Sequence, residues 1–168
     1  MNLPLSNIFI NKVFLTDKYT KPVFKGFLHP RGNPNIQYEI KQIRPPALFV
    51  CNTDYYNSSG KHWLLIYYLP NLTIFFDPFG FSEQIYELPF IVERDKVPVK
   101  RNIFTVQNWN THSIACGHFV LVYGLLLARG YSLNSVNNIF LKNHSEVNDC
   151  IAINFVTWLK KILQIKIT

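Results

Sequence analysis

Three residues of types that perform acyl-transfer chemistry occur in this chain in the order histidine, acid, cysteine. His62 begins the apolar stretch HWLLIYYL, Asp77 ends the stretch LTIFFD, and Cys116 stands just before a long apolar run. A thiolate attacks a carbonyl carbon, an imidazolium protonates the leaving amine, and a carboxylate orients the imidazole ring. The residue types and their order therefore indicate a cysteine nucleophile, provided that the fold brings the three side chains together.

Each of these residues also has an ordinary structural interpretation. A cysteine on an apolar helix usually fills the core, and an aspartate before a proline, as at Asp77, commonly forms a turn. A histidine next to a tryptophan at the start of a strand commonly packs in the interior. From the residues alone, Cys116 is either a buried structural thiol or a nucleophile.

The segments around His62 and Asp77 predict a β-hairpin. Residues 62–69 and 72–77 are rich in β-branched and aromatic residues, and the Pro-Asn between them is a turn signal. If the two strands pair, both side chains lie at the open end of the hairpin, where an imidazole can hydrogen-bond a carboxylate. The stretch ALFVCN at 47–52 predicts a further, buried strand.

The sequence after Ile114 predicts a buried helix with Cys116 near its N-terminus. The stretch IACGHFVLVYGLLLARG is apolar almost all round, and Gly130 marks its expected end. The helix macrodipole and the free N–H groups of the first turn favour a thiolate there. Residues 102–107 (NIFTVQ) predict a strand that ends at Gln107. The side-chain amide of Gln107 would donate to an oxyanion together with the backbone N–H of Cys116.

The remaining segments complete the predicted fold. The first 46 residues are rich in proline and basic residues, with loop signals, whereas 132–141 predicts a short helix and 146–164 a longer one. One face of the longer helix carries Ile151, Phe155, Trp158, Leu159 and Ile162. The sum is an α+β fold in a single domain over residues 1–168. A small, mostly antiparallel sheet packs with a central buried helix and additional helices.

The composition limits the classes of function. A net charge of +7 favours polyanionic partners, nucleic acid first, although solubilising charge explains it equally well. No apolar run reaches the roughly 18 to 20 residues of a membrane span, and the N-terminus lacks the pattern of a secretory signal.

Cys51, Cys116 and Cys150 are widely separated, which predicts reduced thiols rather than a disulfide framework or a zinc site. His112 and His118 flank Cys116, but no further ligands lie at suitable spacing for a metal.

The motifs NSSGKHW, IFFDPFGFS and VQ…SIACGHF occur in this order, with VFKGFLHP and VCNTDYYNSSGKHW in support. In combination they resemble the adenovirus cysteine protease (adenain) family and the related proteases of adenovirus-like, Polinton-type elements. The resemblance extends from about residue 14 to about residue 130 and fades over the last helical stretch. More distantly, the chain is similar to the ubiquitin-like-protein proteases. The resemblance implies a papain-related fold with a circularly rearranged chain order.

By match of motif, the resemblance implies that Cys116 is the nucleophile, His62 its base and acid partner, Asp77 the orienting carboxylate and Gln107 the oxyanion donor. Trp63 would shape the wall of the site. The family cleaves virion precursor proteins at Gly-containing sites during particle maturation, in the virion and the host nucleus. DNA and a basic viral peptide are the implied activators. No cofactor is expected for the chemistry itself, and no membrane as a partner.

The chain departs from the adenoviral pattern in three places. Gln107 precedes Cys116 by nine positions, which is longer than in adenoviral members, so NWNTH must loop out or Asn108 or Asn110 supplies the amide. The stretch VPVKRNIFTV has no cysteine, so an activating peptide would bind without the family's disulfide link. Adenoviral members commonly carry Glu where Asp77 stands, whereas Asp is usual in the ubiquitin-like-protein proteases.

Two alternative functions remain open from the sequence. The first keeps the chemistry and changes the substrate, as a cysteine protease that removes SUMO or ubiquitin from conjugates. The second is a non-catalytic DNA-binding or capsid-associated protein on the same fold. The second alternative predicts that Cys116 is no more reactive than Cys51 or Cys150.

Overall fold

The computed structural model describes residues 4–56, 62–109 and 113–163. The helices are α1 (Asn7–Thr16), α2 (Ile36–Gln42), α3 (Pro89–Val92), α4 (Cys116–Ala128), α5 (Leu133–Asn137) and α6 (Ser145–Ile162), with a short 3-10 helix at Glu83–Tyr86. The strands are β1 (Phe24–Leu28), β2 (Ala47–Asn52), β3 (Trp63–Leu69), β4 (Leu72–Phe76) and β5 (Val99–Arg101). No helix in the described part of the chain is long and apolar enough to cross a membrane.

The five strands form one mixed sheet in the order β1-β2-β3-β4-β5. The central pairs, β2–β3 and β3–β4, are antiparallel, whereas the edge strands β1 and β5 run parallel to their neighbours. The parallel edges follow from the connections, because α2 lies between β1 and β2 and α3 lies between β4 and β5. The predicted α+β class is confirmed, and the antiparallel pairing holds for the centre of the sheet.

Helices cover both faces of the sheet, which explains why its central strands are apolar at successive positions. Along β2, Leu48 and Val50 belong to the core beneath α1, α4 and α6, whereas Phe49 and Cys51 belong to the core beneath α2 and α3. A strand buried on both faces cannot alternate apolar with polar residues. The stretches ALFVCN and WLLIYYL therefore read as continuous apolar runs.

The central helix α4 is held by close contacts that depend on a glycine. A Cβ at Gly124 would lie 2.5 Å from Cζ of Phe14, so only glycine lets α1 approach α4 this closely. On the sheet side, the rings of Phe76 and Tyr123 stack with centroids 3.5 Å apart. The helix ends at Ala128, just before the predicted stop at Gly130, whose φ of 90° is a left-handed conformation that favours glycine.

The predicted strand at 102–107 is wrong, because the chain leaves the sheet at Asn102. Strand β5 covers Val99–Arg101 instead, with Val99 opposite Thr73. The Asn102 side chain accepts a hydrogen bond from the backbone N–H of Asp77 at 3.0 Å and donates to the carbonyl of Phe104. These bonds replace sheet pairing and turn the chain towards the open end of the hairpin.

The buried face of α6 is rotated relative to the prediction. Asn148, Ala152 and Val156 form its fully buried line, at the spacing of one helical turn. Trp158 and Ile162, which were predicted to face the core, are 55% and 56% exposed. The small side chain of Ala152 brings α6 close to the core, so the larger apolar residues beside this line lie at its edge. The predicted short helix at 132–141 is confirmed only over α5.

Candidate active site

The hairpin places His62 and Asp77 together at its open end, as predicted. The pairing of Leu65 with Phe76 sets the register, and the residues that flank the two strands then meet. Nε2 of His62 lies 2.6 Å from Oδ1 of Asp77. The Asp77 side chain is fully buried and His62 is only 8% exposed, so this contact is shielded from water.

The Asp77 carboxylate accepts four hydrogen bonds. Oδ1 is bonded by His62 and by the backbone N–H of Phe79 at 3.0 Å. Oδ2 is bonded by the backbone N–H of Phe81 at 3.0 Å and by the hydroxyl of Tyr86 at 2.8 Å. An ionised carboxyl group offers about four lone-pair sites, and all of them are occupied. The acid is therefore fixed in position and has no free acceptor site for a competing partner.

The turn after Asp77 is built around Gly80 and anchors the segment that leads to Gln107. Gly80 has a φ of 75°, and a Cβ there would lie 2.9 Å from the carbonyl carbon of Phe104, so both conformation and space require glycine. The carbonyl of Pro78 accepts bonds from the backbone N–H groups of Val106 and Gln107, each at 3.0 Å. The DPFG turn thus connects the acid to the predicted oxyanion donor.

Cys116 is the first residue of α4, and no capping side chain bonds to this helix N-terminus within the described residues. The first N–H groups of a helix have no intrahelical acceptor, so they stay available to a ligand beside the thiol. Gly117 allows the turn to pack tightly, because a Cβ there would lie 3.0 Å from Cβ of Leu5 and 3.6 Å from Cδ1 of Trp63. Trp63 itself is 8% exposed and packs beside Gly117 from the core rather than lining an open wall.

The electrostatic setting of His62 favours its protonated form. Burial lowers the pKa of the imidazole, but hydrogen bonding and charge interactions with Asp77 and Cys116 outweigh it and raise the pKa to about 9. Because Nε2 is bonded to Asp77, Nδ1 is the nitrogen left for the Cys116 side chain. The imidazole therefore lies between a carboxylate and a thiol, and at neutral pH both of its ring nitrogens carry a proton.

Tyr86 supports the acid rather than taking part in proton transfer. Burial raises the pKa of its hydroxyl far above the usual range, and the charges of Asp77 and Cys116 and the hydrogen bond to Asp77 raise it further. The hydroxyl therefore stays neutral and donates to Oδ2 of Asp77 at 2.8 Å. Its sequence signal is weak, because a tyrosine nine residues after an aspartate has no recognisable motif.

An aromatic stack extends from the imidazole towards solvent. The ring of His62 stacks on Phe79 with centroids 4.6 Å apart, and Phe79 stacks on Trp109 at 5.3 Å. Trp109 is 56% exposed, and its Nε1 donates to Oγ1 of Thr105 at 3.2 Å. The stack fixes the plane of the imidazole and leaves an aromatic surface next to it.

Gln107 is buried and stands nine positions before Cys116 in the sequence. It is 1% exposed, and its Nε2 donates to Oγ of Ser113 at 3.0 Å. The Ser113 hydroxyl donates to Oδ2 of Asp149 at 2.7 Å, and the backbone N–H of Asn108 donates to Oδ1 of Asp149 at 3.0 Å. The role of Gln107 as oxyanion donor stays a prediction. Asn110 and His112, named as an amide donor and a metal ligand, lie outside the described residues.

Several residues that build the site were not found from the sequence: Tyr86, Asn102, Ser113 and Asp149. Asn102 and Asp149 act through contacts that span 25 and 41 positions, and no local pattern indicates such partners. Ser113 lies three positions before Cys116, so its proximity was the one available signal.

The described residues also limit the metal and disulfide chemistry of the chain. They contain no group of three or more His, Cys, Asp or Glu side chains that could hold a metal ion. Cys51, Cys116 and Cys150 are all free thiols, buried, partly exposed and exposed respectively. Burial raises the pKa of the Cys51 thiol, which makes this residue unreactive.

Comparison with known proteins finds similarity only among solved structures. No protein-family model matches the chain, and no curated protein matches it. Among solved structures, ChlaDub1 from Chlamydia trachomatis is similar, with a TM-score of 0.47 and 15% sequence identity over 96% of this chain and 80% of that chain. The function is therefore inferred from the chemistry of the site and not from this similarity.

Proposed function

We propose that this chain is a cysteine peptidase in which Cys116 is the nucleophile, His62 the general acid and base, and Asp77 the group that orients His62. The observation that supports it most is the buried imidazole between Asp77 and Cys116, with a pKa raised to about 9. A cysteine that only fills the core needs no imidazolium beside it. A histidine that only packs in the core needs no bond to a carboxylate that is fixed by three further hydrogen bonds.

In the acylation step, the Cys116 thiolate attacks the carbonyl carbon of the scissile peptide bond and forms a C–S bond. The carbonyl electron pair moves to oxygen, and the backbone N–H groups at the start of α4 and the Gln107 amide donate to this oxyanion. The intermediate collapses as the C–N bond breaks, and His62 gives its proton to the leaving amine. The products are a thioester on Cys116 and a free amine.

In the deacylation step, His62 acts as a base. It takes a proton from a water molecule, whose oxygen attacks the thioester carbonyl, and the C–S bond then breaks. The carboxylic acid product leaves, and the thiolate and imidazolium are restored. Asp77 keeps Nδ1 directed at the sulfur in both steps, because Nε2 is held at 2.6 Å from Oδ1.

Two substrate classes fit this chemistry. The motifs shared with adenovirus proteases favour virion precursor proteins, cleaved in the virion or the host nucleus with DNA or a non-covalent viral peptide as activator. The aspartate at position 77 is the form usual in ubiquitin-like-protein proteases and favours conjugates of SUMO or ubiquitin. The first is our proposal for the substrate, and the second is the alternative.

The test compares cleavage of Gly-containing fluorogenic peptides, with and without DNA, in the wild type, Cys116→Ala and Cys150→Ala. We expect the wild type and Cys150→Ala to cleave at equal rates, since Cys150 is exposed, and Cys116→Ala to be inactive. Equal cleavage by wild type and Cys116→Ala, or none by any variant, contradicts the proposal. Labelling by a vinyl sulfone of a ubiquitin-like protein identifies the alternative substrate.

The rate of alkylation by iodoacetamide at pH 6 to 7 separates a peptidase from a non-catalytic protein. A thiolate beside an imidazolium reacts at a pH where an ordinary thiol, with a pKa of about 8.5, reacts slowly. We expect Cys116 to be alkylated much faster than the exposed Cys150. Equal rates at the two cysteines support a non-catalytic DNA-binding or capsid-associated protein.

A further inference from the structure

Two consecutive hydrogen bonds lead from α6 to the amide of Gln107. Asp149 on α6 accepts the hydroxyl proton of Ser113 at 2.7 Å, and Ser113 in turn accepts a hydrogen bond from Nε2 of Gln107 at 3.0 Å. The other carboxylate oxygen accepts the backbone N–H of Asn108 at 3.0 Å. Asp149 therefore holds both ends of the segment between Asn108 and Ser113.

The donor and acceptor roles in these hydrogen bonds determine which way the Gln107 amide faces. A carboxylate only accepts hydrogen bonds, so Ser113 must give its single hydroxyl proton to Asp149. The Ser113 oxygen then has only acceptor sites left, and only the nitrogen of the Gln107 amide can bond to it. An amide turned by 180° would place Oε1 against the Ser113 oxygen, and two acceptors would face each other.

The surroundings of Gln107 do not explain this orientation in any other way. Its Oε1 is buried and has no hydrogen-bond partner among the described residues. Leaving a buried acceptor unpaired costs about 1–3 kcal/mol, so the amide is not oriented by what surrounds Oε1. The bond from Nε2 to Ser113 is the interaction that determines it.

We propose that Asp149 is a positioning residue for the oxyanion site. Through Ser113 it holds the Gln107 amide with its nitrogen towards the Ser113 oxygen, which leaves the second N–H of Nε2 for the oxyanion of the substrate. This inference rests on the proposed peptidase function. Asp149 also bonds both Asn108 and Ser113, which stand on either side of the additional residues that separate Gln107 from Cys116.

The experiment measures kcat, KM and Cys116 alkylation in Asp149→Asn, with Glu146→Gln as the matched control on α6. An asparagine amide can donate to the Ser113 oxygen, which frees the hydroxyl proton for Oε1 and lets the Gln107 amide turn over. Removing an oxyanion donor lowers kcat about 10²- to 10³-fold. We expect Asp149→Asn to approach that loss in kcat, with KM and iodoacetamide alkylation unchanged because alkylation forms no oxyanion.

Ser113 provides a second test, in case Asp149→Asn fails to fold. Ser113→Ala removes the acceptor for Nε2 but keeps the bond between Asp149 and the Asn108 N–H, whereas Ser113→Thr keeps the hydroxyl. We expect Ser113→Ala to lose kcat and Ser113→Thr to recover it. Loss of kcat and alkylation together would indicate a merely structural role and overturn the proposal, as would wild-type kcat in Asp149→Asn.

A measurement that does not depend on turnover distinguishes failure of this inference from failure of the proposed function. In a protein with ¹⁵N-labelled glutamine side chains, the signal that Gln107→Ala removes is that of Gln107. We expect its amide protons to exchange slowly in the wild type and Glu146→Gln, and faster in Ser113→Ala and Asp149→Asn. Unchanged exchange in both variants overturns the positioning role, whether or not the wild type cleaves peptides.

Discussion

At the scale of single residues, Asp77 controls the charge of His62. The carboxylate lies 2.6 Å from Nε2 and contributes, through its hydrogen bond and its charge, to a pKa raised to about 9. We expect Asp77→Asn to lower the His62 pKa, because an asparagine keeps an acceptor but loses the charge. A ¹⁵N NMR titration of the ring measures this directly. The high-pH limb of kcat/KM, where neutral imidazole no longer protonates the leaving amine, should move to lower pH with it.

The matched control for this prediction is Tyr86→Phe. It removes one donor to Oδ2 of Asp77 at 2.8 Å and leaves the negative charge in place. The His62 pKa should therefore not fall in this variant. A His62 pKa that stays near 9 in Asp77→Asn would show that Asp77 does not stabilise the imidazolium.

The difference between what was predictable and what was not is also clear at this scale. His62, Asp77 and Cys116 were predictable because each stands at the end of a strongly patterned apolar segment, which fixes its place in the fold. Ser113 and Asp149 were not, because a hydrogen bond across 36 positions has no periodicity to reveal it. The three proposed catalytic residues stand at element ends, whereas the residues bonded around them come from distant parts of the sequence.

At the scale of elements, the packing of α1 on α4 holds in place the helix that begins at Cys116. Phe14 passes over Gly124, where a Cβ would lie 2.5 Å from Cζ of the ring. We expect Gly124→Ala to lower the free energy of unfolding by about 1–3 kcal/mol, the usual cost of overpacking a core. Urea denaturation measures the change.

A double-mutant cycle with Phe14→Leu is the control for this packing contact. The shorter leucine side chain removes the atoms that the new methyl group would meet, so Gly124→Ala should cost less in the Phe14→Leu background. Contacting residues show interaction energies of about 0.5–3 kcal/mol in such cycles. Strict additivity of the two changes would mean that the contact does not limit substitution at Gly124.

Elements were predictable where local pattern and tertiary environment agree. The β3–β4 hairpin and α4 were predictable, since their apolar runs are buried almost throughout in the structure. Residues 102–107 have a strand-like composition, but the Asn102 side chain bonds the backbone of Asp77 and takes the segment out of the sheet. In α6 the buried line runs through Ala152 rather than along the widest apolar face, because a small residue allows closer helix packing.

At the scale of the whole molecule, basic residues recur along the sequence, and most of those described form no ion pair. Of the lysines and arginines in the described residues, only Arg101 and Arg129 form ion pairs with carboxylates, with Glu83 and Asp17. The remaining excess contributes to a net charge of +7. An excess of positive charge favours long-range attraction of polyanions.

We therefore expect duplex DNA to bind this protein without sequence preference and with strong dependence on salt. The logarithm of affinity should fall linearly with the logarithm of salt concentration, with a slope of about −0.9 per phosphate contacted. Fluorescence anisotropy with two unrelated duplexes measures both properties. Because these lysines lie in separate parts of the sequence and are a few of many basic residues, reversal to glutamate at Lys18 and Lys21, or at Lys96 and Lys100, should each weaken binding and reduce the slope without abolishing binding. Loss of all binding in one of these variants would instead place the DNA on a single face, and binding unchanged by salt would exclude the electrostatic origin.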